Sequence, residues 1–137
     1  LADTKLAPEL SNEAHYYRAK AYLDAGKTDG AMEDLKVLAK DTRNVYGAEA
    51  KYKVAQIYFD GGQTDKAEQE VLNYIEVSTP HTYWLARSFV LLADVYMKLG
   101  RNLDAKQYLL SLKQNYQADD DIAGMIESRL EKLKTEN

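Results

Sequence analysis

The sequence predicts an all-α fold: a stack of three helical hairpins closed by a C-terminal capping helix. Three observations carry this. One fourteen-residue phrase occurs three times, at Arg18–Ala31 (RAKAYLDAGKTDGA), Val54–Ala67 (VAQIYFDGGQTDKA) and Leu92–Ala105 (LADVYMKLGRNLDA). Apolar residues between the phrases recur every three or four positions, the helix period. Only two prolines and seven glycines occur, too few for a β-rich or loop-rich chain.

Aligned on Gly26, Gly62 and Gly100, the copies lie 36 and 38 residues apart. Each has an Ala seven residues before the Gly (Ala19, Ala55, Ala93) and a Tyr four before it (Tyr22, Tyr58, Tyr96). Each also has an Ala five after it (Ala31, Ala67, Ala105). The small residues let two helices of a hairpin approach closely. The Tyr fills the wedge at the far end. The Gly supplies the positive-φ exit of a tight helix–helix turn. A single hairpin cannot bury its own apolar face, so about three must stack to share a core.

Taken in order, Leu1–Ala7 has no period and reads as a lead-in or the stub of a preceding repeat. Pro8 suits a first helical position. From there Leu10, Ala14, Tyr17 and Ala21 predict the apolar face of a helix ending at Gly26. Thr28-Asp29 offers a cap for the partner helix, whose inner face is Ala31, Leu35 and Leu38. Asp41–Asn44 is the loop. In the second hairpin the inward residues are Ala48, Tyr52, Ala55 and Tyr58, then, after Gly61-Gly62 and a Thr64-Asp65 cap, Ala67, Val71, Tyr74 and Ile75. Ser78-Thr79-Pro80 predicts a cap with Pro at the first helical position. The helix that follows is polar only at Arg87, Ser88, Asp94 and Lys98 between Tyr83 and Leu99, so it is the expected centre of the stack. Its partner carries Ala105, Tyr108, Leu109 and Leu112. Asp119–Asp121 places negative charge at the start of a last helix. Ile122, Met125, Ile126, Arg129, Leu130 and Leu133 form its inward stripe. With no partner after it, this helix reads as a polar-faced cap. The predicted boundaries within a single 1–137 domain are about 8–43, 45–78 and 79–117 for the hairpins and 119–134 for the cap.

Bulk properties exclude several functions. The net charge of −4 argues against nucleic acid or an anionic membrane surface as partner. The chain has no cysteine, hence no disulfide, thiolate metal site or cysteine nucleophile. No apolar run is long enough to span a membrane, and no stretch reads as a signal sequence. The only histidines, His15 and His81, lie in different hairpins without paired carboxylate spacing, and read as surface or helix-end residues rather than metal ligands. Asp119–Asp121 lacks the spaced ligands and Gly of a calcium loop. Gly61-Gly62 lacks the Lys and Ser/Thr of a phosphate loop. No cofactor and no enzymatic activity is expected.

At the recurring Ala, Tyr, Gly and Ala the chain resembles the tetratricopeptide repeat family, over roughly Pro8 to Gln117. It departs from that pattern in its repeat length. Where the family has an aromatic eleven residues before the Gly, this chain has His15, Lys51 and Phe89. Where the family has a proline seventeen after it, this chain has Arg43, Thr79 and Gln117. Ser78–Tyr96 (STPHTYWLARSFVLLADVY) resembles the C-terminal repeats of long Bacteroidetes envelope proteins of this family. That resemblance implies a periplasmic or outer-membrane-associated place and a longer repeat array, while the residues themselves suit the cytoplasm equally.

The family resemblance implies a right-handed α–α superhelix. Its first helices would line a concave groove that binds a protein or peptide partner. By position relative to each Gly, the groove residues would be Glu13, Tyr16, Lys20, Leu23 and Asp24; Glu49, Tyr52, Gln56, Phe59 and Asp60; and Arg87, Val90, Asp94, Met97 and Lys98. Leu23, Phe59 and Met97 would form an apolar row beside a polar row of Lys20, Gln56 and Asp94. Trp84, the only Trp, lies on the same stripe and either anchors a partner or packs on the loop before Pro80 or on the preceding unit. The carboxylate clamp of chaperone-binding members is not intact, its positions being Tyr16, Lys20, Gln56 and Arg87. Self-association through the N-terminal edge or the last helix is the alternative function. A carbohydrate or small-ligand platform built on the eleven tyrosines is a weaker one.

Overall fold

The computed structural model describes residues 8–77 and 79–135. Among these the chain forms seven α-helices: α1 (Pro8–Asp24), α2 (Thr28–Leu38), α3 (Val45–Asp60), α4 (Thr64–Glu76), α5 (Thr82–Lys98), α6 (Asn102–Asn115) and α7 (Ile122–Thr135). Consecutive helices pack as hairpins. Helices α1, α3, α5 and α7 also touch in series, whereas α2, α4 and α6 do not touch one another. The odd-numbered helices are therefore the inner, concave layer and the even-numbered ones the outer layer.

The three repeated phrases fold into the same turn. Gly26, Gly62 and Gly100 have φ of 75°, 80° and 78°. In each turn the Gly N–H donates to the carbonyl three residues back (Leu23, Phe59, Met97). The next N–H donates to the repeat Tyr carbonyl, Lys27 to Tyr22 at 2.7 Å, Gln63 to Tyr58 at 2.8 Å and Arg101 to Tyr96 at 2.7 Å. This double closure satisfies the last carbonyls of the first helix with a left-handed glycine. Lys27, Gln63 and Arg101 are at the same time the N-caps of α2, α4 and α6, without side-chain cap bonds. Thr28-Asp29 and Thr64-Asp65 therefore do not cap as expected. They fall inside the first turn, where Asp29 and Asp65 favour the positive helix end. The turn is so short that its closing residue is already the next helix's cap.

The start of α5 also differs from expectation. Its N-cap is His81, and Pro80 lies outside the helix; Ser78 is outside the described residues. The Thr79 hydroxyl donates to the Thr42 carbonyl at 2.6 Å and accepts from His81 N–H at 3.1 Å. His81 Nε2 meets the Arg43 carbonyl at 3.0 Å. The residues that lengthen this repeat thus lock one inter-hairpin loop onto the preceding one. Asp120, by contrast, caps α7 as predicted, accepting from Ile122 N–H at 2.9 Å.

The core has two parts. One joins α1, α2 and α3 through Ala19, Ala31, Leu35, Leu38, Ala50 and Val54. The other is centred on α5, where Leu91, Leu92, Ala93 and Val95 are buried, and continues into Leu109, Ile122 and Ile126. Each such aliphatic side chain contributes about 1.5–3 kcal/mol by burial. Ala31, Ala67 and Ala105 are fully buried at the helix crossings, as the repeat requires.

The predicted face of α1 is a correction. Leu10 and Tyr17 are 54% and 59% exposed, and Ala21 is exposed too. The buried side of α1 is Ala19, flanked by Tyr16, Tyr22 and Leu23. Periodicity identifies an apolar stripe but not whether a neighbour covers it.

His15 is a second correction: it is an interior residue of the hairpin. Its Nδ1 lies 2.8 Å from Asp34, which also accepts two bonds from Arg18 and is buried. The positions eleven before and eight after each Gly form one pair per hairpin. They are His15–Asp34, Lys51–Glu70 (2.9 Å) and Phe89–Tyr108 (ring centroids 6.3 Å). Where the first two hairpins lack the family's aromatic, the facing position carries a carboxylate instead.

Candidate functional site

The concave layer sorts the predicted groove residues into three groups. In the first, Tyr16 donates its hydroxyl to the Glu49 carboxylate at 3.1 Å, and the Lys20 ammonium lies 5.4 Å from the Tyr16 ring centre. Burial, then the Glu49 charge, push the Tyr16 phenol up to about 12.

The second group is a continuous relay from Asp121, just before α7, across α5 to α3. Tyr83 donates to Asp121 at 2.8 Å, and Arg87 donates to the hydroxyls of Tyr83 and Tyr52, each at 3.2 Å. Tyr52 donates to Gln56 at 2.9 Å, and Gln56 donates to Asp60 at 2.8 Å. The Arg87 guanidinium also lies over the Tyr52 ring, 4.9 Å from its centre. Burial opposes the charge on Arg87, but the two phenol acceptors outweigh it and raise its pKa. Tyr52 itself is buried. Trp84 packs on Tyr52 and Tyr83 with ring centres 5.7 and 5.0 Å away, so it sits on the preceding hairpin. Along this line Asp60 and Asp121 are exposed and Gln56, Tyr83 and Arg87 are half-buried, and each of them is hydrogen-bonded.

The third group is an open basin of about 570 Å³ between α3, α5 and α7. Half-buried Phe59 and Met97 line it, with Asp94, Lys98, Arg129 and Lys132 at its rim. Arg129 binds Asp94 through two bonds of 2.7 and 2.9 Å. That geometry neutralises both groups and pins α7 to α5. Lys98 and Lys132 form no ion pair with any described residue, and their ammonium groups lie beside the basin's apolar lining.

The expected apolar row is interrupted. Phe59 and Met97 share the basin, but Leu23 lines a separate hollow of about 730 Å³ with Met32, Ile57, Tyr58 and Asp60. Leu23 packs on the α1–α3 core and Phe59 on the α5-centred core, so the row follows two cores. Val90, placed in the groove by repeat position, is buried in the second core. Sequence reasoning missed Arg129 and Lys132 as groove residues because they belong to α7, which the repeat pattern treats only as a cap. The i, i+3 spacing of the two on one helix was the available signal.

Among the described residues no cluster of three or more His, Asp or Glu could hold a metal ion, and no helix is long and apolar enough to cross a membrane. An all-helical chain of consecutive hairpins around a shared core, each closed by one recurrent turn, is a helical-repeat protein. Two family profiles described as tetratricopeptide repeat match it, over residues 13–41 and 86–115. The chain carries tetratricopeptide repeats over those two segments. Comparison with curated proteins and with solved structures gave no match. Tetratricopeptide repeats generally mediate protein–protein interaction and are typically non-catalytic scaffolds.

Proposed function

We propose that the protein binds a partner chain through the basin between α3, α5 and α7. A large apolar side chain of the partner rests on Phe59 and Met97, and a neighbouring carboxylate meets Lys98 and Lys132. The observation that carries this reading is the contrast between the basin and the rest of the concave face. Elsewhere Tyr16, Tyr52, Gln56, Asp60 and the two terminal nitrogens of Arg87 are hydrogen-bonded to one another or to near neighbours, so docking there costs existing bonds. In the basin an apolar surface is accessible, and Lys98 and Lys132 form no ion pair with any described residue. Apolar contact supplies affinity, and the cations select an acidic partner.

A displayed peptide library panned on the protein tests this. Enriched peptides should pair an aromatic or large aliphatic residue with Asp or Glu. Lys98→Glu with Lys132→Glu should weaken their binding roughly a hundredfold while leaving the melting temperature unchanged, since both side chains are exposed. Enriched peptides that bind this double variant as tightly as the parent would refute the reading.

A further inference from the structure

We propose that the crevice between the outer helices α2 and α4, floored by α3, binds a small phosphate monoester. Its volume is about 320 Å³. Nearly buried Lys51 and buried Val54 form the floor. Lys36 and Lys40 stand on the α2 side, Glu70 and Asn73 on the α4 side, and Ala39 and Val77 add to the apolar part of the lining. Three ammonium groups and one carboxylate thus border one crevice, in a chain whose net charge is −4. The repeat does not require these charges. One hairpin later the same repeat positions carry Leu72 for Lys36, Ile75 for Ala39, Glu76 for Lys40, Phe89 for Lys51 and Tyr108 for Glu70, and these residues line the equivalent hollow between α4, α5 and α6. The floor of that hollow is an aromatic pair, so the fold accepts an uncharged floor at this place.

Charge and hydrogen-bond valence identify the ligand. Glu70 meets Lys51 at 2.9 Å, whereas Lys36 and Lys40 form no ion pair with any described residue. The Lys36 ammonium lies 5.7 Å from the Tyr58 ring centre, a contact that leaves its charge in place. A lysine ammonium has three donors and no acceptor. Lys51 gives one to Glu70 and one to Asn73 Oδ1 at 2.6 Å, and the described residues take no third. Because Lys51 can only donate, the Asn73 amide must turn its oxygen toward it, and the Nδ2 hydrogens have no partner among the described residues. With Glu70 matched to Lys51, two positive charges remain. A phosphate monoester carries about −1.5 to −2 charge at neutral pH and accepts through three oxygens, whereas a single carboxylate offsets only one of the two. The carbon chain of the ester rests against Ala39, Val54 and Val77. The volume is at the low end of small-molecule sites, about 300–1,000 Å³, which restricts the ester to a short one.

Amide NMR shifts of the isotope-labelled chain, titrated with inorganic phosphate, glycerol 3-phosphate and succinate at constant ionic strength, provide the test. Both phosphates should give saturable shifts centred on Lys40, Thr42, Lys51 and Asn73, with glycerol 3-phosphate binding at least as tightly as inorganic phosphate and succinate several-fold more weakly. Lys36→Gln with Lys40→Gln should weaken phosphate binding roughly tenfold or more and leave the melting temperature unchanged, because both side chains are exposed. Lys51→Phe with Glu70→Tyr, which copies the Phe89–Tyr108 pair, should abolish binding while helical circular dichroism is retained. Vesicles containing phosphatidic acid should not sediment the chain; if they do, the occupant is a lipid headgroup and the proposal of a small ester falls. Shifts that do not saturate or that centre elsewhere, glycerol 3-phosphate binding more weakly than inorganic phosphate, succinate binding as tightly as either, or phosphate binding that survives Lys36→Gln with Lys40→Gln overturns the proposal. The crevice shares no residue with the Phe59–Met97 basin, so none of these results bears on peptide binding there.

Discussion

Gly47 sits in the first turn of α3, where the helix abuts the loop leaving α2. A Cβ built there would lie 1.9 Å from the Asp41 carbonyl oxygen and 2.6 Å from that of Leu38, both backbone atoms that no rotamer change can move. In Gly47→Ala the helix must therefore shift by more than an ångström from the loop. Overpacking of this kind costs about 1–3 kcal/mol. The shift also breaks the cap in which Asn44 accepts from Tyr46 and Gly47 N–H, worth about 1 kcal/mol. Replacing a helical Gly by Ala returns about 1 kcal/mol. The net loss is about 1–3 kcal/mol, or a fall in melting temperature of roughly 4–10 °C for a domain of this size. Gly124→Ala is the control. It is also helical, but a Cβ there meets nothing within 4 Å, so the same chemical change should stabilise by about 0.5–1 kcal/mol. Circular dichroism at 222 nm with thermal and urea unfolding measures both. If the two variants shift the midpoint in the same direction, the close approach of α3 to the loop is wrong.

Gly62→Ala forces an L-residue to φ near 80° and should cost about 1–2 kcal/mol in the same unfolding assay, although a Cβ there meets no steric contact. Glu70→Ala should destabilise by about 1–2 kcal/mol because nearly buried Lys51 keeps only its bond to Asn73. Lys51→Phe with Glu70→Tyr, which copies the Phe89–Tyr108 pair, should recover most of that loss in a double-mutant cycle. The phenols of Tyr16, Tyr96 and Tyr116 are all raised to about 12, by burial first and neighbouring carboxylates second. Their stabilising contribution is present below pH 10, the unfolded value, and is lost as pH climbs from 10 through 12. Tyrosinate absorbance at 295 nm should accordingly rise together with unfolding. At the acid side burial pushes Asp34 up, but its bonds from Arg18 and His15 outweigh this and hold its pKa below the usual carboxylate value. That contribution is present above about pH 4 and fades as pH falls through the lowered pKa; urea titrations should show Asp34→Asn lacking this loss.

Helix number and turn positions trace to local rules: a glycine at positive φ, a small residue at each crossing, and apolar residues every three or four positions; the division of the interior into two clusters does not, since the repeat predicts one shared core. Those rules act within a hairpin or between adjacent ones, so a single chain reading finds them at Ala19, Gly26, Ala67 and Leu92. Contacts whose partners are far apart in sequence were illegible. Asp94 is a groove residue by repeat position, but Arg129, 35 residues later, occupies it. His15 looked like a surface histidine until Asp34 faced it, and the pairing of positions eleven before and eight after each Gly needs the helices side by side to be seen. Gly47 carries no sequence signal of its close approach, since its neighbour is backbone.

The sequence by itself determined that this chain is a stack of hairpins, because each repeat position is set by the sterics of one turn and one crossing. Only the tertiary structure decided which concave residues remain available and which residues of the apolar stripe on α1 are exposed. Phe59 and Met97 stand open because α7 leaves a gap beside them. Leu10 and Tyr17 are more than half exposed, although their spacing reads as the inner face of α1. Both facts depend on what lies across the fold from a residue, which its own place in a repeat does not encode.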